Sequence, residues 1–292
     1  MRTPERQRPP AGSLYLDHVS HFVPALGAAA RALEALGFAV TEESAQATQE
    51  GPAGTANRCV MLEQGYLEFL APTADTPNAQ RLRAATERRP GVHLACFGTP
   101  AAAEEHARLA AHGFEPQPLV ALERATRQGL ARFRVVRAAA AAMPEGRVQF
   151  VEHLTPETLW NERHLAHANG VTKLACVFVV AEDPVAAAAR WGRFAALLPA
   201  PAGPYAHLRT ERGSVLIGSP RHWEALLGME VPGPPALAGY ALECRDPDAF
   251  AARCATAGAA TRRVRRRLYA AGLPAALGGA WIFGTRTSLA LG

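Results

Sequence analysis

Lysine is almost missing from this chain. Lys173 stands alone, and every other cation among the 31 Lys plus Arg is an arginine. Against 26 Asp plus Glu the formal charge is +5. The arginine excess, beside abundant alanine, reads as GC-rich codon usage. A nucleic-acid surface calls for basic residues clustered with a motif or interleaved with aromatics, and aromatics make up just 7% of the chain. The densest cationic run, Arg262, Arg263, Arg265, Arg266 and Arg267, contains none and reads as a solvated face. Five cysteines (Cys59, Cys96, Cys176, Cys244, Cys254) are an odd number without CxxC spacing. They point to neither a disulfide framework nor a zinc knuckle, so a reducing cytoplasm is the expected compartment.

Long apolar runs are missing too. The longest uncharged stretch, Leu268 to Thr285, spans 18 residues but contains Pro274 and four glycines, short of the roughly 20 apolar residues of a membrane helix. Residues 1–13, MRTPERQRPPAGS, have no apolar segment of the export type and are expected to form a short disordered tail. No Ser/His/Asp elbow, phosphate loop or dinucleotide fingerprint is present. With 49% hydrophobic residues, a well-filled globular core is expected. The partner expected of such a chain is a small-molecule substrate, with no nucleic acid and no membrane, and the chain is expected to be a monomer or homodimer.

What the sequence does contain is a fourfold repeat. Short apolar runs begin around His18, His93, Lys173 and Tyr240, spaced 75, 80 and 67 residues apart. Each precedes an alanine-rich segment of helical spacing (Ala28 to Leu36, Ala101 to Ala111, Pro184 to Leu197, Pro247 to Ala257), and then a second strand such as Phe38 to Glu42. Each unit closes with a strand behind a glycine, at Gly65, Gly146, Gly213 and Gly279. The order is βαβββ four times. A sheet covered on one face by its helix leaves the other face cupped, so such units pair to share a cleft. Two domains are therefore expected, at residues 14–155 and 171–292. Between them, Thr155-Pro156-Glu157 reads as an N-cap followed by proline at the first helical position, predicting a connecting helix over 156–170.

The segments LDHVSHFV from Leu16, GTANR through GYLEFLAP (Gly54 to Pro72), RVQFVEHLTPETLW from Arg147 and the later HANG together resemble the vicinal oxygen chelate superfamily, most closely its glyoxalase-like domain proteins. The resemblance implies an α+β fold of four βαβββ units paired into two glyoxalase/bleomycin-resistance/dioxygenase-like domains. In that superfamily metal ligands come from the first and last strands of paired units. Carried over residue by residue, the pattern implies His18, Glu68 and His93 as ligands, and alignment of GYLEF with GRVQF adds Gln149. Imidazole, carboxylate and amide oxygen suit a divalent ion: Zn, Ni, Co, Mn or Fe(II). Strand alternation keeps Gln149 and Glu152 from sharing a face, so Glu152 is the alternative fourth ligand, and it turns His21 away from His18.

Glu68 is the candidate catalytic base. Asn57 and Arg58 are candidate substrate-binding residues, the arginine as a bidentate clamp. His153, His164 and His167 flank the linker and read mainly as solvated or capping groups, and Trp160 as packing between the domains. In the third and fourth units the equivalent positions are Lys173, Leu216, Tyr240 and Ile282, a set that cannot hold a divalent cation. The function implied is a metal-dependent lyase, isomerase or dioxygenase working through an enolate or oxyanion. The rival reading is a non-catalytic small-molecule binding protein of the same fold.

Overall fold

Four βαβββ units follow one another along the chain in the computed structural model, which describes residues 7–48 and 51–290. The first comprises β1 (Tyr15–Phe22), α1 (Leu26–Ala35), β2 (Ser44–Thr48), β3 (Gly51–Met61) and β4 (Tyr66–Pro72). A linking helix, α2 (Pro77–Arg88), leads to the second: β5 (Gly91–Gly98), α3 (Ala102–Ala111), β6 (Val120–Thr126), β7 (Gly129–Arg137) and β8 (Arg147–His153). The third holds β9 (Val171–Val180), α4 (Pro184–Ala195), β10 (Ala200–Ala202), β11 (Tyr205–Arg209) and β12 (Ser214–Gly218). After α5 (Pro220–Leu227) comes the fourth, with β13 (Ala236–Cys244), α6 (Pro247–Thr256), β14 (Ala260–Arg265), β15 (Leu268–Gly272) and β16 (Ala280–Gly284). Proline in the first turn starts α2, α4 and α6, and in each the residue before it, Thr76, Asp183 or Asp246, accepts backbone N–H bonds as the cap.

The first two units form a closed barrel in the order β1-β4-β3-β2-β6-β7-β8-β5. Its seam is the antiparallel pair β1 and β5, and β2 meets β6 to close the far side. The other two form an eight-stranded sheet, β10-β11-β12-β9-β13-β16-β15-β14, which stays open. Its edges explain why. β10 is three residues long and carries Pro201, which cannot donate to a ladder. β14 is studded with exposed arginines, a common way to blunt an edge. Arg262 and Arg265 there, and Arg267 in the turn that follows, bond to backbone carbonyls of neighbouring loops and of the α5 end.

One apolar core joins the two sheets through their outer faces, with α1, α3, α4 and α6 embedded in it. Phe194 of α4 stacks on Phe150 of the barrel at 4.8 Å, and Phe38 packs against Phe250 and Trp281 of the second sheet. That inward turn keeps Phe38 out of the strand predicted there, and β2 begins only at Ser44. His21, on the outer face of β1, is fully buried at the same junction, with Nε2 3.0 Å from the Tyr240 hydroxyl and Nδ1 3.1 Å from the Leu277 carbonyl.

The inner faces are filled differently. In the barrel, α2 sends Leu82 and Ala85 into one mouth, and the segment after β8 sends in Leu159 and Trp160. The connecting helix predicted over 156–170 is replaced by two short 3-10 turns, Pro156–Thr158 and Glu162–His164. A continuous helix would carry Leu159 and Trp160 past the barrel mouth, where Trp160 Nε1 now donates to the Leu62 carbonyl at 3.1 Å. In the open sheet, α5 performs the filling: Trp223 is fully buried, stacks on Phe178 at 4.6 Å and donates to the Val179 carbonyl. The predicted disordered tail departs from expectation where it can be seen. Gln7 is buried and donates to the Glu63 carbonyl, and Arg8 donates to that of Leu154; residues 1–6 lie outside the described residues. Among the described residues no helix is long and apolar enough to cross a membrane.

Trp223→Ala is expected to lower the unfolding free energy by about 3 to 5 kcal/mol, as for other buried aromatics cut to alanine, in a urea titration. A loss below about 1 kcal/mol would mean that Trp223 does not fill the second sheet. Burial holds His21 down to about 4, below its usual 6.5. Between those values the unfolded chain binds more protons than the folded one, so stability rises with pH and is lost on acidification from about 6.5 toward 4. The shift is worth roughly 3 kcal/mol, and a His21→Gln variant should flatten that limb of the stability profile.

Candidate functional site

Two β-bulges decide which side chains enter the barrel. Along the β1 and β5 seam, Leu16 faces Phe97 and His18 faces Cys96, so Asp17 is the extra residue on β1. Farther along, Ser20 faces Leu94 and His21 faces Val92, making His93 the extra residue on β5. A bulge lets successive side chains leave strict alternation. Asp17 and His18 therefore both turn inward, Asp17 Oδ1 lying 2.7 Å from His18 Nδ1. The other carboxylate oxygen, Oδ2, lies 2.9 Å from Nε2 of His153, on the last inner position of β8.

Burial alone pushes the Asp17 carboxyl up, but His153 and His18 outweigh it and hold the group far below the usual carboxylate range. Burial likewise disfavours a charged His18, yet Cys96 and Asp17 outweigh that and raise it well above 6.5. The His18 ring stacks on Tyr66 at 4.4 Å. The Tyr66 phenol is itself kept protonated, raised well above 10 by burial and by Asp17 and Glu68.

With Nδ1 committed to Asp17, His18 presents Nε2 to Glu68, whose Oε2 is 3.8 Å away. Both Glu68 oxygens are held: Ser20 Oγ donates to Oε2, Asn57 Nδ2 to Oε1 at 2.6 Å and Gln46 Nε2 to Oε1 at 3.3 Å. Asn57 in turn accepts from Nη1 of the buried Arg124 at 2.7 Å. Ligand atoms of Asp17, His18 and Cys96 lie within 4.8 Å of one another, and Gln149 Nε2 is 3.7 Å from Cys96 Sγ. His18, Gln46, Asn57, Glu68 and Gln149 border a cavity of about 50 Å³ inside the barrel, lined also by Arg124, Arg137 and Arg147.

His18, Glu68, Gln149 and Asn57 are thus brought together, while His93 and Arg58 are not. His93 is half-buried beside α2, stacked on Phe22 with Nε2 2.7 Å from the Arg89 carbonyl, outside the lining of the cavity. Its place is the bulge, so the pseudo-equivalent of Asp17, and the pseudo-equivalent of His18 is Leu94: His18 faces Tyr66 on β4 as Leu94 faces Arg147 on β8. Arg58 follows Asn57 on β3 and alternation turns it outward, toward the Thr41 carbonyl and Glu43. Glu152 also points outward, accepting from the Ala102 N–H at the start of α3, whereas Gln149 lines the cavity.

The sequence reading passed over Asp17 and Cys96. Their signal was the one-residue mismatch between the first-strand motifs, visible only once bulges are allowed in both strands. His153 was set aside with the linker histidines, yet it is buried on β8. In the second sheet, Lys173 pairs with Glu243 at 3.0 Å, Leu216 and Ile282 lie in the apolar filling, and the Tyr240 hydroxyl meets His21. Among the described residues the Asp17, His18 and Cys96 cluster is the one group of three or more His, Cys, Asp or Glu spaced for a metal ion.

A profile of the glyoxalase-like domain matches residues 16–197, from β1 into the third unit. The chain belongs to the glyoxalase-like domain family. No curated protein matches this glyoxalase-like chain in sequence. Its fold is similar to a hypothetical protein from Staphylococcus aureus, 12% identical with a TM-score of 0.66 over 93% of this chain and 99% of that one. It is also similar to a 4-hydroxymandelate synthase mutant from Streptomyces coelicolor (15% identity, TM-score 0.57, 96% of each chain). The Mn(II)-bound glyoxalase from Novosphingobium aromaticivorans gives 11% identity and a TM-score of 0.55 over 94% of this chain and 83% of that one. At these identities the likeness is one of fold alone.

Opposite faces of β3 carry a direct check. Asn57→Ala leaves Arg124 and Glu68 without their shared partner and should cost about 1 to 3 kcal/mol; Arg58→Ala should stay within about 0.5 kcal/mol. Equal losses in urea unfolding would contradict the placement.

Proposed function

We propose that the N-terminal barrel binds a divalent transition-metal ion through His18 and Cys96, with Glu68 closing on the ion from its place 3.8 Å from His18 Nε2, and that the chain is a metal-dependent enzyme acting on a small oxygen-rich substrate, of the lyase, isomerase or dioxygenase type. The observation that carries this reading is the support behind both main donors. Asp17 fixes the His18 ring and directs Nε2 inward, and three side chains hold the Glu68 carboxylate. Outer partners of this kind are what histidine and carboxylate ligands characteristically have. Asp17 itself is a positioning residue, since both of its oxygens are engaged by histidines. The Mn(II) in one structural relative supports the same reading, as does the donor chemistry: imidazole, carboxylate and thiolate together favour Zn, Co or Fe(II) over Mg or Ca.

When bound, the ion would act as a Lewis acid on substrate oxygen, stabilising an enolate or oxyanion. The residues around it supply the rest. Glu68, beside the cavity, can move a proton to or from substrate carbon, with Ser20, Asn57 and Gln46 keeping it aligned. The Tyr66 phenol, protonated throughout the neutral range, is a fixed donor next to His18. α2 and Trp160 narrow the two mouths of the barrel with apolar side chains.

A second reading keeps the same cavity for ligand binding without catalysis. Leu94 favours it, since it occupies the place corresponding to His18 and removes one imidazole from the set.

Elemental analysis of protein purified without chelator should find one transition-metal ion per chain, with His18→Ala and Glu68→Gln each losing it. With Co(II), a thiolate-to-metal absorption band should appear and vanish in Cys96→Ser. Protein that holds no transition metal even after reconstitution would leave the binding-protein reading.

A further inference from the structure

The cavity carries more positive charge than its own acids can balance. Arg124 from β6, Arg137 from β7 and Arg147 from β8 line one wall, and the acids on the lining are Glu68 and Glu123. Glu68 already accepts from three side chains. Glu123 pairs outward with Arg132 at 3.0 Å. Among the described residues none of the three arginines has a carboxylate partner. Arg124 bonds Asn57 and Cys59, and its Nε is buried with no partner at all. Arg137 Nε donates to the Gln149 amide oxygen at 3.4 Å. Arg147 donates to Asn78 of α2 at 3.3 Å and lies over the Phe22 ring. Buried cations are costly unless paired, and a metal ion at His18 and Glu68 would add to the excess.

We propose that the ligand of this cavity carries a carboxylate, held by the guanidinium groups of Arg124, Arg137 and Arg147. The inference rests on the reading of this cavity as the functional site and names the class of molecule it takes. Three guanidinium forks on adjacent strands offer the planar, paired N–H geometry that matches a carboxylate. All cavity-lining residues lie on strands, so the donors are side chains and not the helix N-terminal amides that commonly cradle phosphate. A volume of about 50 Å³ limits the bound part to a few heavy atoms, the size of a small oxo or hydroxy acid. Arg124 also lines a second cavity of about 270 Å³ between Thr41 and His164.

The test uses metal-free protein, dialysed against chelator, and oxalate as the probe, followed by calorimetric titration. Oxalate should bind wild-type protein, bind more weakly as salt is raised, and lose about tenfold or more in affinity in Arg137→Gln and in Arg147→Gln. Arg263→Gln, an exposed arginine on β14, should leave it unchanged, and circular dichroism checks that each variant is folded. The wild-type salt dependence needs no variant and guards against a misfolded one. Salt-independent binding, equal affinity in folded Arg137→Gln and Arg147→Gln, or tighter binding of inorganic phosphate or neutral ethylene glycol would overturn the assignment. Oxalate binding that depends on the arginines in a protein that takes up no metal would uphold it while the metal-centre reading fails. Metal uptake with oxalate binding indifferent to the arginines would be the reverse.

Discussion

The antiparallel seam between β1 and β5 is the constraint on which the rest of the barrel depends. It joins two units by backbone hydrogen bonds, and a bulge in each strand sets the phase of every side chain along it. The bulge at Asp17 places a carboxylate behind His18 and within reach of His153. The bulge at His93 carries an imidazole out to α2 and leaves Leu94 facing the cavity and Cys96 beside His18. Moving either bulge by one residue would exchange the polar set for its neighbours on the outer face, because the side-chain period of a strand is two. The chemistry of the cavity is in this sense a property of register.

The second sheet shows the same architecture with the chemistry removed. Its seam, β9 with β13, has register shifts at Ala175, Ala238 and Thr172; the two alanines have no polar group to contribute, and Thr172 donates to the Glu243 carbonyl. Its linking helix, α5, fills the cup with Trp223 and Leu227, where α2 contributes only the smaller Leu82 and Ala85 to one mouth of the barrel. An eight-stranded barrel is just wide enough for side chains to fill, so the size of the plug decides between a cavity and a core. What the second half supplies is an apolar backing. Tyr240, Phe250 and Trp281 pack against His21 and Phe38, and this fixes the outer face of β1, whose inner face carries His18.

The fourfold repeat was legible because it rests on local signals: glycine before each closing strand, alanine-rich helical spacing, apolar runs of strand length. The same signals located Glu68 and Gln149, which sit at matching distances behind Gly65 and Gly146 on strands without bulges. Alternation also separated Gln149 from Glu152 and His18 from His21. It failed at the first-strand motifs. Aligning His18 with His93 is the natural match of identical residues, yet the two bulges displace them by one position relative to each other. Arg58 fell for a related reason, since adjacent residues on β3 cannot both face the cavity and Asn57 holds the inner place. The helices α2 and α5 and the broken linker were missed because their apolar residues serve as plugs for cups that exist only after pairing.

The sequence by itself therefore determined the unit, its fourfold repetition and the loss of polar chemistry from the third and fourth copies, all of which follow from local periodicity and residue type, while the family rested on the resemblance of its motifs. Only the tertiary structure decided which groups meet. Asp17, Cys96 and His153 join His18 and Glu68, and three arginines crowd one wall, because strand register and bulges convert distances of up to 136 residues along the chain into hydrogen-bond contacts. Periodicity reports which face of its own strand a residue occupies. It carries no information about the strand on the other side of the barrel.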